Sequence, residues 1–278
     1  MSPFFRAAAL FPAGASGIVP EMDINLAVLN IGNSRLATGV FIAGKLEQVR
    51  RIALSAGNDW QGAIAEAWRQ LEGTKQPAVV AASVNPLLVG PVEECVQRLN
   101  SQPIQWVGRD VDVPIKVLTD NPEQTGIDRI LNVAAAYEQM QKACAVVDAG
   151  TAITVDVCND GGEFLGGAIA AGASMMLEAL HERTAQLPAV GYTAPSEVFG
   201  RSTREAMLLG VHHGIRGMVK ELVERYAMEL GTWPELIATG GDAQALFEGW
   251  ELVHAIAPDL TLYGIALAYV QHHSKHGT

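Results

Sequence analysis

The chain has 278 residues, 49% of them hydrophobic and 18% charged, and carries a formal net charge of −11. This is a soluble globular composition, long enough for two modest domains or one large one. The acidic balance argues against a nucleic-acid binder, because no basic stripe exists to neutralise phosphates. An acidic ligand would have to be held by backbone donors, one or two Arg, and a metal ion. Cys95, Cys144 and Cys158 lack metal-type spacing and read as free thiols in a reducing compartment.

Residues 1–21 form an extension with one Arg and a short apolar run broken by Pro12 and Gly14, too short to span a bilayer. They read as a loose segment ahead of Met22 or, less compellingly, as a signal peptide with a weakly charged start. No later segment reaches eighteen uninterrupted apolar residues, so the expected location is the cytoplasm and no membrane partner is expected.

From residue 24 the periodicity predicts strands over 24–31, 35–43 and 46–54, joined at Gly32-Asn33 and Gly44-Lys45, both good hairpin signals. A helix over 59–71, the strand "AVVAAS" (78–83), a helix over 86–99 and the strand "IQWV" (104–107) complete the order βββαβαβ. A bridge over 118–141, with a helix over 128–141, leads to a second set. This has strands over 143–149, 153–159 and 163–169, helices over 174–186 and 203–230, and the strand segment "ELIATG" (235–240). A short helix, a strand over 251–256 and a helix over 260–273 end the chain. The repeat is domain-sized rather than a solenoid period. It predicts two similar α/β domains, residues 22–120 and 121–278, facing each other across a ligand-binding cleft.

Gly32-Asn33-Ser34 and Gly150-Thr151-Ala152 occupy equivalent places in the repeat. Glycine there lets backbone N–H groups approach phosphate oxygens, although either turn alone could be only a tight hairpin. The strand before each turn ends differently, with Asn30 in the first copy and Asp148 in the second. Gly240-Gly241 opens a helix after an apolar strand, a place that suits a phosphate or base. There is no Walker GxxxxGK[ST] and no GxGxxG after a strand.

In "NPEQTGIDRILN" (121–132), Asp128 and Arg129 follow Gly126 at the expected start of a helix. Asp128 there can be a helix-capping acid. It can equally be a general base for a hydroxyl, with Arg129 clamping a carboxylate or phosphate. "GGAIAAG" (166–172) reads as a pocket floor or simply as a glycine-rich loop. His212-His213 and the tail histidines (272, 273, 276) lack partner ligands in the sequence and read as exposed helix positions and a frayed terminus.

Taken together, "VVDAGTAITVDV", "FLGGAIAAG", "LHERTAQLP", "NPEQTGIDRILN", "STREAMLLGVHHGIRGMV" and "IATGGDA" resemble type III pantothenate kinase. That family is a branch of the actin and sugar-kinase superfamily, and the resemblance covers roughly residues 25–269. It implies a duplicated actin/ribonuclease-H-like fold and ATP-dependent phosphorylation of pantothenate, the first step toward coenzyme A. It also implies a homodimer that needs Mg²⁺ and a monovalent cation such as K⁺ or NH₄⁺. By this resemblance Gly32, Asn33, Ser34, Gly150 and Thr151 form the phosphate motifs. Asp128 is the base, Gly126 and Arg129 contact the substrate, Asp148 serves the metal, and Gly240-Gly241 lie beside adenosine. Thr184 reaches the neighbouring subunit's substrate.

Two departures stand out. The family's proline in the "GGxIxPG" loop is Ala171 here, which costs only loop stiffness. The family's first motif begins with aspartate, and here that residue is Asn30. An amide can still accept from a metal-bound water but brings no charge, and loss of such an outer-shell carboxylate costs about 10–100-fold in metal affinity or activity. The sequence therefore supports a kinase, with a catalytically impaired ligand-binding or regulatory homologue as the alternative.

Overall fold

The computed structural model describes residues 24–55, 59–100 and 103–276. The expectation for residues 1–21 lies outside these residues. Contacts divide the chain into two compact units, one running to Gln139 and resuming at Asp259, the other spanning Met140–Pro258.

In the first unit, β1 (Leu26–Ile31), β2 (Arg35–Ile42) and β3 (Lys45–Ala53) form an antiparallel meander. Next come α1 (Trp60–Arg69), β4 (Ala78–Ser83), α2 (Pro86–Asn100) and β5 (Gln105–Trp106). The sheet order is β3-β2-β1-β4-β5, with β4 parallel to both β1 and β5. Asp59 caps α1 by accepting from the Gly62 amide at 2.6 Å, satisfying one of the amides a helix start leaves unpaired. Leu29, Ile31, Leu36, Val40, Ile64, Leu71 and Val92 form the core beneath the sheet. A short strand β6 (Lys116–Val117), a single 3-10 turn (Pro122–Gln124) and α3 (Ile127–Met140) follow.

The second unit repeats this plan. β7 (Cys144–Ala149), β8 (Ala152–Cys158) and β9 (Glu163–Ala171) form its meander. α4 (Ala173–Glu182), α5 (Thr203–Leu230), β10 (Glu235–Thr239), α6 (Ala243–Phe247) and β11 (Ala255–Ile256) follow. Within this unit the strand order is β9-β8-β7-β10-β11, the same path as in the first. The register also shifts at matching places, between Val40 and Phe41 on β2 and between Val157 and Cys158 on β8. Shared order and shared bulge make the duplication a property of the backbone. The long α5 starts with a complete Ser202/Glu205 capping box and ends at Gly231 in the left-handed region.

The last helix, α7 (Leu260–His276), packs on β1 and β4 of the first unit. A Cβ on Gly264 would collide with the Leu131 carbonyl, so glycine lets α7 approach α3 closely. The contact division thus differs from the sequence partition after residue 120, because α3 and α7 both cluster with the first unit.

Several expectations are corrected. α4 stops at Glu182 rather than 186, and β11 shrinks to two residues. The tail is helical to His276 rather than frayed. His212 is buried rather than exposed. The three cysteines are free thiols and buried. No helix among the described residues is long and apolar enough to cross a membrane.

Candidate functional site

β1 and β7 have the same burial pattern, with the fifth residue half-buried between buried neighbours. Strand alternation turns that residue, Asn30 or Asp148, away from the face that carries Leu29 and Ile31 or Val147 and Ala149. Its cross-strand neighbours differ between the copies. Asn30 pairs with Ala37 on β2 and Ala82 on β4, whereas Asp148 pairs with Thr154 on β8 and Thr239 on β10. Paired residues share a sheet face, so the amide is framed by methyl groups and the acid by hydroxyls.

The turn after each strand closes with a glycine amide, Gly32 N to Arg35 O at 2.9 Å and Gly150 N to Ala152 O at 3.0 Å. The exposed Asn33 and Ser34, and the exposed Thr151, stand at the tips. In the second unit two further backbone segments converge on this turn. Gly172, which starts α4, donates to the Thr151 carbonyl at 3.0 Å, and a Cβ on it would collide with the Gly150 carbonyl. Gly240 has φ +95, and a Cβ there would collide with Asp148 Oδ1 and the Ala149 carbonyl. The Asp242 amide donates to that same carbonyl at 2.9 Å. Asp148, Gly150, Thr151, Gly172 and Gly240 therefore lie in close backbone contact, with approaches at Gly172 and Gly240 that only glycine permits. The sequence had left Gly172 undecided between pocket floor and loop, and had not singled out Asp242.

In the first unit, Arg129 N and Ile130 N donate to the Gly126 carbonyl and start α3. Asp128 occupies the first turn and its Oδ1 accepts from the Arg129 amide at 2.8 Å. The carboxylate thus lies inside the first turn and meets the adjacent amide rather than capping the helix from outside it. Burial also pushes its pKa above the ordinary value, against the lowering effects of the Arg129 amide and charge. A half-buried carboxyl of raised basicity beside an Arg is the combination a hydroxyl-activating base requires.

Thr184 lies just past α4, where its hydroxyl donates to the Leu180 carbonyl at 2.8 Å and accepts from the Leu187 amide at 3.3 Å. It shapes the chain's exit from the helix. On α5, His212 Nδ1 meets the Tyr192 hydroxyl at 2.8 Å. Burial, then the charges of Arg216 and His213, lower the imidazole pKa to about 4, so it is neutral at pH 7. Burial, then Asp242, raises the phenol to about 12. The signal for His212 was legible: it falls four residues after Leu208 and three before Ile215, both on the buried stripe.

A strand-end acid, a glycine hairpin turn after it and a glycine turn on the adjoining parallel strand, carried on a duplicated α/β frame, are of the kind a phosphotransferase needs to hold a phosphate. The type III pantothenate kinase family profile matches residues 26–225, and the chain belongs to that family. A type III pantothenate kinase from Dehalococcoides mccartyi is 35% identical, covering 89% of this chain and 98% of its own. Another from Myxococcus xanthus is 33% identical over 90% of this chain and 100% of its own. Among solved structures, a Baf family protein from Campylobacter jejuni shares the fold, with a TM-score of 0.58, 20% identity, and 90% and 99% coverage.

Proposed function

We propose that this protein transfers the γ-phosphoryl group of ATP to the primary hydroxyl of pantothenate, giving 4'-phosphopantothenate, the first step of coenzyme A biosynthesis. The observation that supports the nucleotide side is the close approach of the Gly240 backbone to Asp148, where any side chain would collide, so that the acid and the proposed adenosine-side turn adjoin. On the acceptor side, Asp128 takes the proton of the attacking hydroxyl and Arg129 pairs with the pantothenate carboxylate, with Gly126 leaving room for the chain between them. The new O–P bond forms as the bond from the γ-phosphorus to the bridging oxygen breaks, and ADP leaves. Such transfer needs positioning and charge neutralisation more than covalent help. In the second unit the Gly150-Thr151 turn offers backbone donors for phosphate, and the family resemblance gives Gly32, Asn33 and Ser34 the same role in the first.

The second-unit site fits Mg²⁺. Hard divalent cations take oxygen donors, and Asp148 is accompanied by Thr154 Oγ1, which is buried without a hydrogen-bond partner. Bound there, Mg²⁺ would offset charge on the phosphates. In the first unit Asn30 offers an amide oxygen in place of the family's acid. We further read the enzyme as a cytoplasmic homodimer that uses K⁺ or NH₄⁺, with Thr184 acting across the subunit interface. The exposed Met175 on α4 supports a partner surface there. A coupled ADP-release assay with pantothenate, with and without Mg²⁺ and K⁺, tests the activity. Ligand binding without turnover under all these conditions would move the protein to the regulatory-homologue reading.

A further inference from the structure

The tail histidines, read from the sequence as a frayed end, are held in the fold. His272 is half-buried on the last turns of α7, and its Nδ1 lies 3.3 Å from both the Asp112 amide and Asp112 Oδ2. Asp112 follows the turn after β5, whose bridge pairs Val107 with Val111. One helical turn beyond His272, the His276 ring lies beside it, 4.4 Å between centroids and tilted by 34°, and turns its Nδ1 to the His272 carbonyl at 2.8 Å. Asp112, His272 and His276 each present one ligand atom, and these lie within 4.8 Å of one another.

We propose that Asp112, His272 and His276 form a binding site for a divalent transition-metal ion of the zinc type, separate from the phosphotransfer site. Histidines at i and i+4 share a helix face and can reach one ion together. A carboxylate from a second segment supplies a third ligand, and water completes a tetrahedron. Two imidazoles select Zn²⁺, Ni²⁺ or Cu²⁺ over Mg²⁺, which prefers oxygen. At a tetrahedral zinc, ligand atoms stand about 3.3 Å apart, so modest side-chain rotation closes the cluster. The ion would clamp the C-terminus of α7 to the segment after β5.

The test is calorimetric titration of Zn²⁺ alone into metal-stripped full-length wild type and into H272A, H276A and D112N, with melting curves alongside. The expected result is one equivalent bound by wild type. Each variant should weaken it by at least about 10-fold, since loss of a direct ligand costs no less than loss of an outer-shell partner. Zn²⁺ should raise the melting temperature of wild type but of none of the variants, and Mg²⁺ should not substitute. His276 is exposed in the last turn, so H276A keeps the fold and the test stands even if H272A unfolds. Zinc binding that all three variants retain, or that survives D112N unchanged, overturns the site.

Discussion

The two halves build the same strand and turn and then finish them differently. In the second unit the strand-end residue is an acid flanked across the sheet by Thr154 and Thr239. In the first it is an amide flanked by Ala37 and Ala82. The frame has changed along with the residue, so the first half lacks both the charge and the hydroxyls that could share a cation's shell. Duplication preserved the backbone turn, which needs only glycine and strand register, while the acid and its flanking hydroxyls occur in one copy. The first half keeps the Gly32 turn and lies in the same unit as Asp128, the proposed base.

The largest effect should follow from removing that base. D128N should cut kcat by about 10²–10⁴-fold while ATP still binds. Its stability has a defined sign. Burial raises the folded pKa of Asp128, so the folded state holds the proton more tightly and stability falls as pH rises through the window above 3.8. D128N should therefore melt no lower than wild type at pH 7, and the difference should close in acid. A variant with most of the wild-type rate would remove Asp128 from the mechanism.

Next in size is the charged half of the comparison. D148N should lower activity by about 100-fold and raise the Mg²⁺ needed for half-maximal rate, at the upper end of what an outer-shell carboxylate contributes. If it changes the rate without changing the Mg²⁺ requirement, the asymmetry between the halves does not concern the cation.

A conformational test comes third. G240A must place a Cβ at φ +95 against Asp148 Oδ1 and the Ala149 carbonyl. Backbone strain of about 1–3 kcal/mol and overpacking of about 1–3 kcal/mol should lower the melting temperature by several degrees and weaken nucleotide binding. Unchanged affinity would mean that the Gly240 turn and the Asp148 strand are not one site.

The smallest effect concerns His212. Its pKa falls from 6.5 unfolded to about 4 folded, so the unfolded state takes up protons first. Stability is fully present above pH 6.5 and declines as pH drops toward 4. H212Q, which keeps a partner for the Tyr192 hydroxyl, should flatten that decline in pH-dependent melting curves.

Much of this was legible in the sequence because its signals are local. Strand alternation, the Gly32 and Gly150 turns and the run from Gly126 to Arg129 placed the strands, turns and the start of α3 to within a few residues. What escaped depends on contacts distant in sequence. The alanine and threonine frames around Asn30 and Asp148 become visible only once β4 and β10 are in register. The tail read as frayed because Asp112, 160 residues earlier, is the partner that orders it.

If the first half is a phosphate cradle missing one charge, N30D restores it. The substitution is nearly isosteric and its alanine frame leaves the new carboxylate half-buried, where attraction to a cation exceeds that in water. Phosphotransfer measured against Mg²⁺ concentration for both forms should show N30D faster and saturating at lower Mg²⁺, by about 10-fold. A slower N30D, or one needing more Mg²⁺, would contradict the account and make the amide part of the mechanism.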